Sequence, residues 1–230
     1  MKLKGIFLDF DGVISSNSVG LMHKWVYEYI CKKIPVPVGE RTVREIAKMT
    51  TTFPPRAVLD FMFSSFGLEI DVTELQQLMH KEISGAVVID PSFSKLVHFC
   101  TENNIELKII SQRSSSSGSA FNQLAQVPGL NSSMVCSTQG MSKADPACYV
   151  QIGNNLEINL SDWLLVDDSP YALRAAKIAG LNTALMVTPT FNMDDYLEYK
   201  QLIDLRLMSL EDLIQTEYYA NIVCSGAAHK

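Results

Sequence analysis

Residues 5–13 read Gly-Ile-Phe-Leu-Asp-Phe-Asp-Gly-Val, an apolar run that ends in two carboxylates and a glycine. A continuous apolar run of this kind is typical of a strand buried on both faces of a parallel sheet. If the strand continues through the acids, its period of two places Asp9 and Asp11 on the same side. Gly12 then allows a sharp turn. The stretch predicts two acids at the carboxyl end of a strand, where open α/β sheets bind ligands, although a simple acidic turn also fits it.

The composition is that of an ordinary globular protein and excludes several classes of function. The chain has 230 residues, 47% hydrophobic and 19% charged, with a formal net charge of −6. The absence of a dense Lys/Arg block argues against nucleic-acid binding. The five cysteines show no CxxC spacing, so neither a zinc site nor a disulfide framework is predicted, and reduced thiols favour the cytoplasm. The apolar runs are too short for a membrane-spanning helix or a signal peptide, which predicts a cytoplasmic protein.

The periodicity changes along the chain in a way that predicts the architecture. From about residue 19 to residue 83, apolar residues recur at helical spacing and no strand pattern occurs. From Asp90 onward, short apolar runs alternate with helical patterns, which indicates a doubly wound parallel sheet of the α/β class. The predicted division is an α/β core formed by residues 1–16 and 87–230, with residues 17–86 as a helical insertion.

Polar side chains follow the predicted strands at their carboxyl ends. Because the carboxyl ends of parallel strands lie at one edge of the sheet, these side chains are expected to converge. Acids, one hydroxyl and one lysine suit a divalent cation bound beside a phosphate, and Mg²⁺ prefers carboxylate, water and phosphate oxygens. The candidates are Asp9, Asp11, Ser111, Lys143, Asp167 and Asp168.

In this order, these residues resemble the four motifs of the haloacid dehalogenase superfamily, in the branch with a helical cap inserted after the first strand. The motifs are Asp9-Phe10-Asp11-Gly12, Ser111 at a strand end, Lys143-Ala144-Asp145-Pro146 and Asp167-Asp168-Ser169-Pro170. The resemblance covers nearly the whole chain. In the family, the fourth motif has either two adjacent acids or two acids four residues apart. This chain has the adjacent pair Asp167-Asp168, whereas Ala172 stands four residues after Asp168.

The resemblance implies a role for the two acids of the first motif. Asp9 would be the nucleophile, and an aspartyl-phosphate on it splits one difficult displacement into two easier steps. Asp11 would protonate the leaving oxygen and then activate water, while its backbone carbonyl binds the metal. An acid at position 11 also argues against a dehalogenase, because a halide leaving group needs no proton.

The remaining motifs imply phosphate and metal contacts. Ser111 and Lys143 would bind the phosphoryl group, and Gln112 is a candidate substrate contact, although a solvated glutamine is the more ordinary interpretation. Asp168 would bind Mg²⁺, with Asp167 as a second ligand or an outer partner. Adjacent acids also favour a helix N-terminus on electrostatic grounds alone. The implied metal set is Asp9, Asp11, Asp167 and Asp168, with Mg²⁺ as the cofactor.

The expected function is that of a Mg²⁺-dependent phosphatase acting on a small phosphorylated metabolite, with neither nucleic acid nor membrane as a partner. Two alternatives stay open: a phosphomutase of the β-phosphoglucomutase type, and a weakly active binding or regulatory protein with the same fold. The sequence predicts neither the substrate nor the oligomeric state.

Overall fold

A computed structural model describes residues 3–33, 39, 41–42, 45, 55–65, 67–69, 71–112, 124, 126–130, 135–138, 140–188 and 196–215. Within these residues, six parallel strands form one sheet in the order β3-β2-β1-β4-β5-β6. The strands are β1 (Gly5–Asp9), β2 (Glu106–Ser111), β3 (Val135–Ser137), β4 (Trp163–Asp167), β5 (Asn182–Met186) and β6 (Leu205–Leu207). The helices are α1 (Ser18–Lys33), α2 (Pro55–Ser65), α3 (Val72–Ile83), α4 (Pro91–Glu102), α5 (Pro146–Asn155) and α6 (Pro170–Ile178).

The first strand is buried on both faces, as its apolar run predicts. Ile6 and Leu8 pack into one hydrophobic cluster, whereas Phe7 packs into another and stacks on Trp163 with 4.5 Å between ring centroids. Alternate residues therefore face opposite layers, which is the packing of a doubly wound sheet. The predicted α/β class is confirmed, and β1 lies in the interior of the sheet between β2 and β4.

Prolines and aspartates start the helices that follow the strands. α4, α5 and α6 begin at Pro91, Pro146 and Pro170, where the missing amide costs no helical hydrogen bond. The side chains of Asp90 and Asp145 accept hydrogen bonds from the backbone N–H groups of the first turns of α4 and α5. The local sequence thus sets where each of these three helices begins.

The described part of the insertion is helical. α1, α2 and α3 share a separate hydrophobic cluster that includes Ile30, Phe63 and Met79. Its two connections to the sheet layer run side by side, because Asn17 donates from Nδ2 to the carbonyl of Ala86 at 2.8 Å and accepts from the N–H of Val88 at 3.0 Å. The domain boundaries at residues 16 and 87 stay a prediction.

Some predicted elements differ from the structure or lie outside its described residues. The strand β6 was not predicted, because three residues carry too little periodicity to be recognised in the irregular tail. The helix expected at residues 209–214 is a short 3-10 turn, Leu210–Leu213, with a capping box between Ser209 and Asp212. Helices expected near residues 40–49 and 116–125 fall mostly outside the described residues. Within the described part of the chain, no helix has the length and apolar character to cross a membrane.

Candidate active site

The carboxyl ends of the central strands bring the predicted residues of three motifs to one edge of the sheet. Asp9 ends β1, Asp167 ends β4 and Ser111 ends β2. Asp9 pairs in register with Ile110, so Ser111 lies one residue further along the neighbouring strand. All three side chains are buried.

Lys143 joins two of these strand ends. Its Nζ lies 2.8 Å from Oδ2 of Asp9 and 2.8 Å from Oδ2 of Asp167, and its side chain is only 2% exposed. A lysine ammonium is stable at such depth only when anionic partners compensate for its lost hydration. The third motif therefore reaches the site, as predicted, although it lies more than 130 residues from Asp9 in the sequence.

Asp9, Asp167 and Asp168 form a buried carboxylate cluster, with one oxygen of each within 4.8 Å of the others. Asp9 also accepts from the N–H of Phe10 at 2.8 Å, and Asp167 accepts from the N–H of Ser169 at 2.9 Å. Both oxygens of Asp167 are thus engaged. Asp168 differs, because its Oδ1 is buried without a hydrogen-bond partner among the described residues.

Among the described residues, the charges of the carboxylate cluster do not balance. Burial raises the pKa of Asp9 to about 8; Lys143 opposes this shift, whereas Asp167 and Asp11 add to it. Burial also holds the pKa of Asp168 well above its usual range, with further contributions from Asp167 and Asp9. For Lys143, burial lowers the pKa, but the two carboxylates outweigh it and hold the pKa above its ordinary value. Three carboxylates therefore share one ammonium.

This arrangement fits a divalent cation. An orphaned buried oxygen and an excess of negative charge are both relieved by a bound metal ion. The donors in the described cluster are carboxylate oxygens without imidazole or thiolate, which suits Mg²⁺ better than zinc. Asp168 is the residue with an oxygen available for it, and Asp9 is its neighbour in the cluster.

Comparisons with known proteins bear on the fold. No family model matches the chain. A haloacid dehalogenase-like hydrolase domain-containing protein of Arabidopsis thaliana is 33% identical over 78 residues, which is 32% of this chain and only about a quarter (25%) of the relative. A putative β-phosphoglucomutase from Bacteroides vulgatus superposes with a TM-score of 0.72 at 14% identity, covering 100% of this chain and 91% of the other.

A second solved structure has the same fold and a bound ligand. CbbY from Rhodobacter sphaeroides in complex with phosphate superposes with a TM-score of 0.71 at 15% identity, covering 92% of this chain and 96% of CbbY. A mutant of CbbY has been solved with xylulose-1,5-bisphosphate. The chain has the haloacid dehalogenase-like fold. The resemblance predicted from the four motifs is therefore confirmed.

Within this haloacid dehalogenase-like fold, Asp11 is placed differently from the sequence expectation. β1 ends at Asp9, so the period of two does not extend to Asp11. Asp11 instead lies in a turn, where it forms an isolated bridge with Ser15 and is half-buried. Its side chain is not part of the buried carboxylate cluster. Asp11 is half-buried whereas Asp9 is buried, and such a difference in environment is what separate roles for the two acids require.

Gly12 has a second reason to be a glycine. Its φ is +82°, and a Cβ at this position would lie 2.4 Å from Oδ2 of Asp168. The turn after β1 therefore packs directly against the carboxylate that follows β4. The first and fourth motifs are in contact through this glycine as well as through their acids.

Gln112 lies beside Ser111 at the end of β2. Its Nε2 donates to the carbonyl of Met141 at 3.4 Å, while its Oε1 is buried without a hydrogen-bond partner among the described residues. Gln112 is half-buried at this position. Its contact with a substrate stays a prediction.

Sequence reasoning missed two residues that contact Asp168. Thr188 donates from Oγ1 to Oδ2 of Asp168 at 3.2 Å, and the Tyr196 hydroxyl donates to the Asp168 carbonyl at 3.4 Å. Thr188 follows β5 just as Ser111 ends β2, so a hydroxyl at a strand end was an available signal. Tyr196 carried no such signal, because its position depends on the path of the chain after β5.

Proposed function

We propose that this protein is a Mg²⁺-dependent phosphohydrolase that acts on a small phosphate monoester through an aspartyl-phosphate on Asp9. The observation that carries the proposal is the environment of Asp9. Its carboxylate is buried at a strand end, is oriented by Lys143 and the N–H of Phe10, and shares a buried cluster with Asp168, whose Oδ1 has no hydrogen-bond partner among the described residues. A nucleophile held in one orientation at the edge of a parallel sheet is suited to an in-line displacement.

The proposed reaction has two displacements. In the first, a carboxylate oxygen of Asp9 forms a bond to phosphorus, the ester P–O bond breaks, and Asp11 gives its proton to the leaving oxygen. In the second, Asp11 removes a proton from water, the water oxygen bonds to phosphorus, and the bond to Asp9 breaks to release phosphate. The position of Asp11 in a half-buried turn supports this exchange of protons with substrate and water.

Lys143 and Ser111 would stabilise the phosphoryl oxygens. An ammonium has three donors, and the carboxylates of Asp9 and Asp167 use two of those of Lys143. The third would donate to an anionic group beside Asp9. Ser111, buried at the end of the adjacent strand, would supply a hydroxyl on the other side of Asp9. Charge on the transferring group is stabilised best by such fixed donors.

Mg²⁺ would be held by Asp9 and Asp168, with the backbone carbonyl of Asp11 as a further ligand. It would neutralise the negative charge that the carboxylates and the phosphate bring together. Asp167 would act mainly through Lys143, whose ammonium it holds at 2.8 Å from its own Oδ2 and beside Asp9.

A phosphomutase is the second candidate. A putative β-phosphoglucomutase is among the structures of the same fold, and the complexes of CbbY with phosphate and with a sugar bisphosphate favour phosphorylated sugars as the substrate class. A mutase also needs the acid at position 11. A binding protein without turnover has no need of that acid, so the complete set of residues argues against this third alternative.

The test is a panel of phosphate monoesters, including sugar phosphates and p-nitrophenyl phosphate, assayed with Mg²⁺ and with EDTA. If the protein is the proposed phosphohydrolase, it is expected to release inorganic phosphate only with Mg²⁺. A mutase interconverts sugar phosphates and releases little phosphate. Asp9→Asn is expected to abolish turnover, whereas Asp60→Asn, on the exposed surface of α2, is the matched control. Turnover that persists in EDTA or in Asp9→Asn would contradict the proposal.

A further inference from the structure

The two carboxylate oxygens of Asp168 have different environments. Oδ2 accepts the hydroxyl of Thr188 at 3.2 Å, whereas Oδ1 has no hydrogen-bond partner among the described residues. Both side chains are buried: Asp168 is fully enclosed and Thr188 is 8% exposed. The carboxylate is therefore held from one side and is left unsatisfied on the other.

The backbone of the first motif closes the side on which the carboxylate is held. A Cβ on Gly12 would lie 2.4 Å from Oδ2 and 3.2 Å from Oδ1, so little space remains there. The Tyr196 hydroxyl, which donates to the Asp168 carbonyl at 3.4 Å, adds a contact to the backbone of the same residue. Asp168 shares the buried carboxylate cluster with Asp9 and Asp167, and Oδ1 is its oxygen without a hydrogen bond among the described residues.

We propose that Thr188 is a positioning residue that fixes the Asp168 carboxylate with Oδ1 turned toward the cation. The inference rests on the proposed function, since it assigns a role in the same metal site. The second torsion of an aspartate side chain has a broad energy profile, so packing alone defines the carboxylate plane weakly. A hydroxyl donated to one oxygen selects which oxygen remains available. Hydrogen bonds to metal-binding side chains of this kind typically change metal affinity by about 10- to 100-fold.

The strand that precedes Thr188 in the chain, β5, contains a residue suited to a matched control. Thr183, in β5, is also buried, but its hydroxyl donates to the carbonyl of Leu202 and lies 3.2 Å from Oδ2 of Asp204, away from the carboxylate cluster. Thr183→Val and Thr188→Val both replace a buried hydroxyl by a methyl group of similar volume. They differ in whether the lost hydroxyl touches the site.

The experiment is calorimetric titration of Mg²⁺ into the metal-free full-length protein, without substrate. Thr188→Val is expected to weaken Mg²⁺ binding by about 10- to 100-fold. Thr188→Ser, which keeps the hydroxyl, is expected to restore most of the affinity, and Thr183→Val to leave it unchanged. Thermal unfolding of the four proteins shows whether each variant is folded under the conditions of the titration.

The outcomes separate this inference from the proposed function. Unchanged Mg²⁺ affinity in Thr188→Val would overturn the role of Thr188. An equal loss of Mg²⁺ affinity in Thr183→Val, or a wild-type protein that binds no Mg²⁺, would also overturn it. If the wild-type protein binds Mg²⁺ but turns over no phosphate monoester, the proposed function fails, while the order of affinities among the variants still decides the role of Thr188.

Discussion

Replacement of Lys143 by methionine tests whether the cluster depends on a buried cation. Methionine keeps the apolar stem of the side chain but removes the ammonium that lies 2.8 Å from Asp9 and from Asp167. Breaking a buried ion pair by removing one partner typically costs about 3–5 kcal/mol, because the other charge stays uncompensated. For a chain of this size, one kcal/mol corresponds to about 2–4 °C in Tm, so the expected fall is about 6–20 °C.

The assay is thermal unfolding of the metal-free protein, followed by circular dichroism. Lys95→Met is the matched control, because Lys95 pairs with Glu211 at 2.9 Å while the two side chains are 61% and 52% exposed. An exposed pair contributes at most about 1 kcal/mol, so this variant should lose no more than a few degrees. The loss in Lys143→Met should be larger at pH 8 than at pH 5.5, because protonation relieves repulsion among the carboxylates. Equal losses in the two variants would refute the argument that burial makes the Lys143 contacts strong.

Two further predictions concern the glycine turn and the charge of the cluster. Gly12→Ala should lower Mg²⁺-dependent turnover by about 100-fold, because a Cβ at φ +82° lies 2.4 Å from Oδ2 of Asp168 and displaces it. Gly20→Ala is the control, because an added Cβ has open space there. Equal activity of the two variants would contradict the packing argument. The metal-free protein should lose stability as pH rises from about 4 to about 8. Burial raises the pKa of Asp9 from 3.8 to about 8, so the folded state binds more protons than the unfolded state in this pH range. Mg²⁺ should then raise Tm more at pH 8 than at pH 5, and a rise in Tm that is independent of pH would count against the cluster as the metal site.

The strand ends of the site could be predicted because local patterns in the sequence indicate them. A strand buried on both faces leaves a continuous apolar run, and the first polar residue after it marks the edge of the sheet. Asp9 and Asp167 follow this rule, and Ser111, the last residue of β2, follows the apolar pair Ile109-Ile110. Parallel pairing then brings these ends together irrespective of their separation in sequence.

Contacts that depend on the tertiary path of the chain could not be predicted in this way. The turn at Gly12 removes Asp11 from the strand, so the simple alternation that applied to residues 5–9 failed two residues later. Thr188 follows β5 and Asp168 follows the neighbouring strand β4, so their hydrogen bond depends on the placement of both strand ends. Asn17, which joins the two connections of the helical insertion, contacts Ala86 and Val88, about 70 residues further along the chain, and no local pattern indicates these partners.

The division of roles between Asp167 and Asp168 also needed the structure. In the sequence, the two acids are adjacent and both are candidate metal ligands. In the folded chain, Asp167 accepts from Lys143 and from the N–H of Ser169, whereas Asp168 keeps one oxygen without a partner among the described residues. β4 ends at Asp167 and Asp168 begins the turn that follows, so the two acids meet different hydrogen-bond partners although their chemistry is the same.

The central claim, that Asp9 carries the phosphoryl group, is tested most directly by trapping the intermediate in Asp11→Asn. With p-nitrophenyl phosphate the leaving group needs no proton, so the first displacement proceeds with Mg²⁺ while the hydrolysis that Asp11 assists is slowed. The account predicts a stoichiometric burst of p-nitrophenolate, followed by slow turnover, and borohydride reduction of the trapped protein to homoserine at position 9, located by mass spectrometry. A linear release without a burst, together with an intact aspartate at position 9 or homoserine at another position, would contradict it.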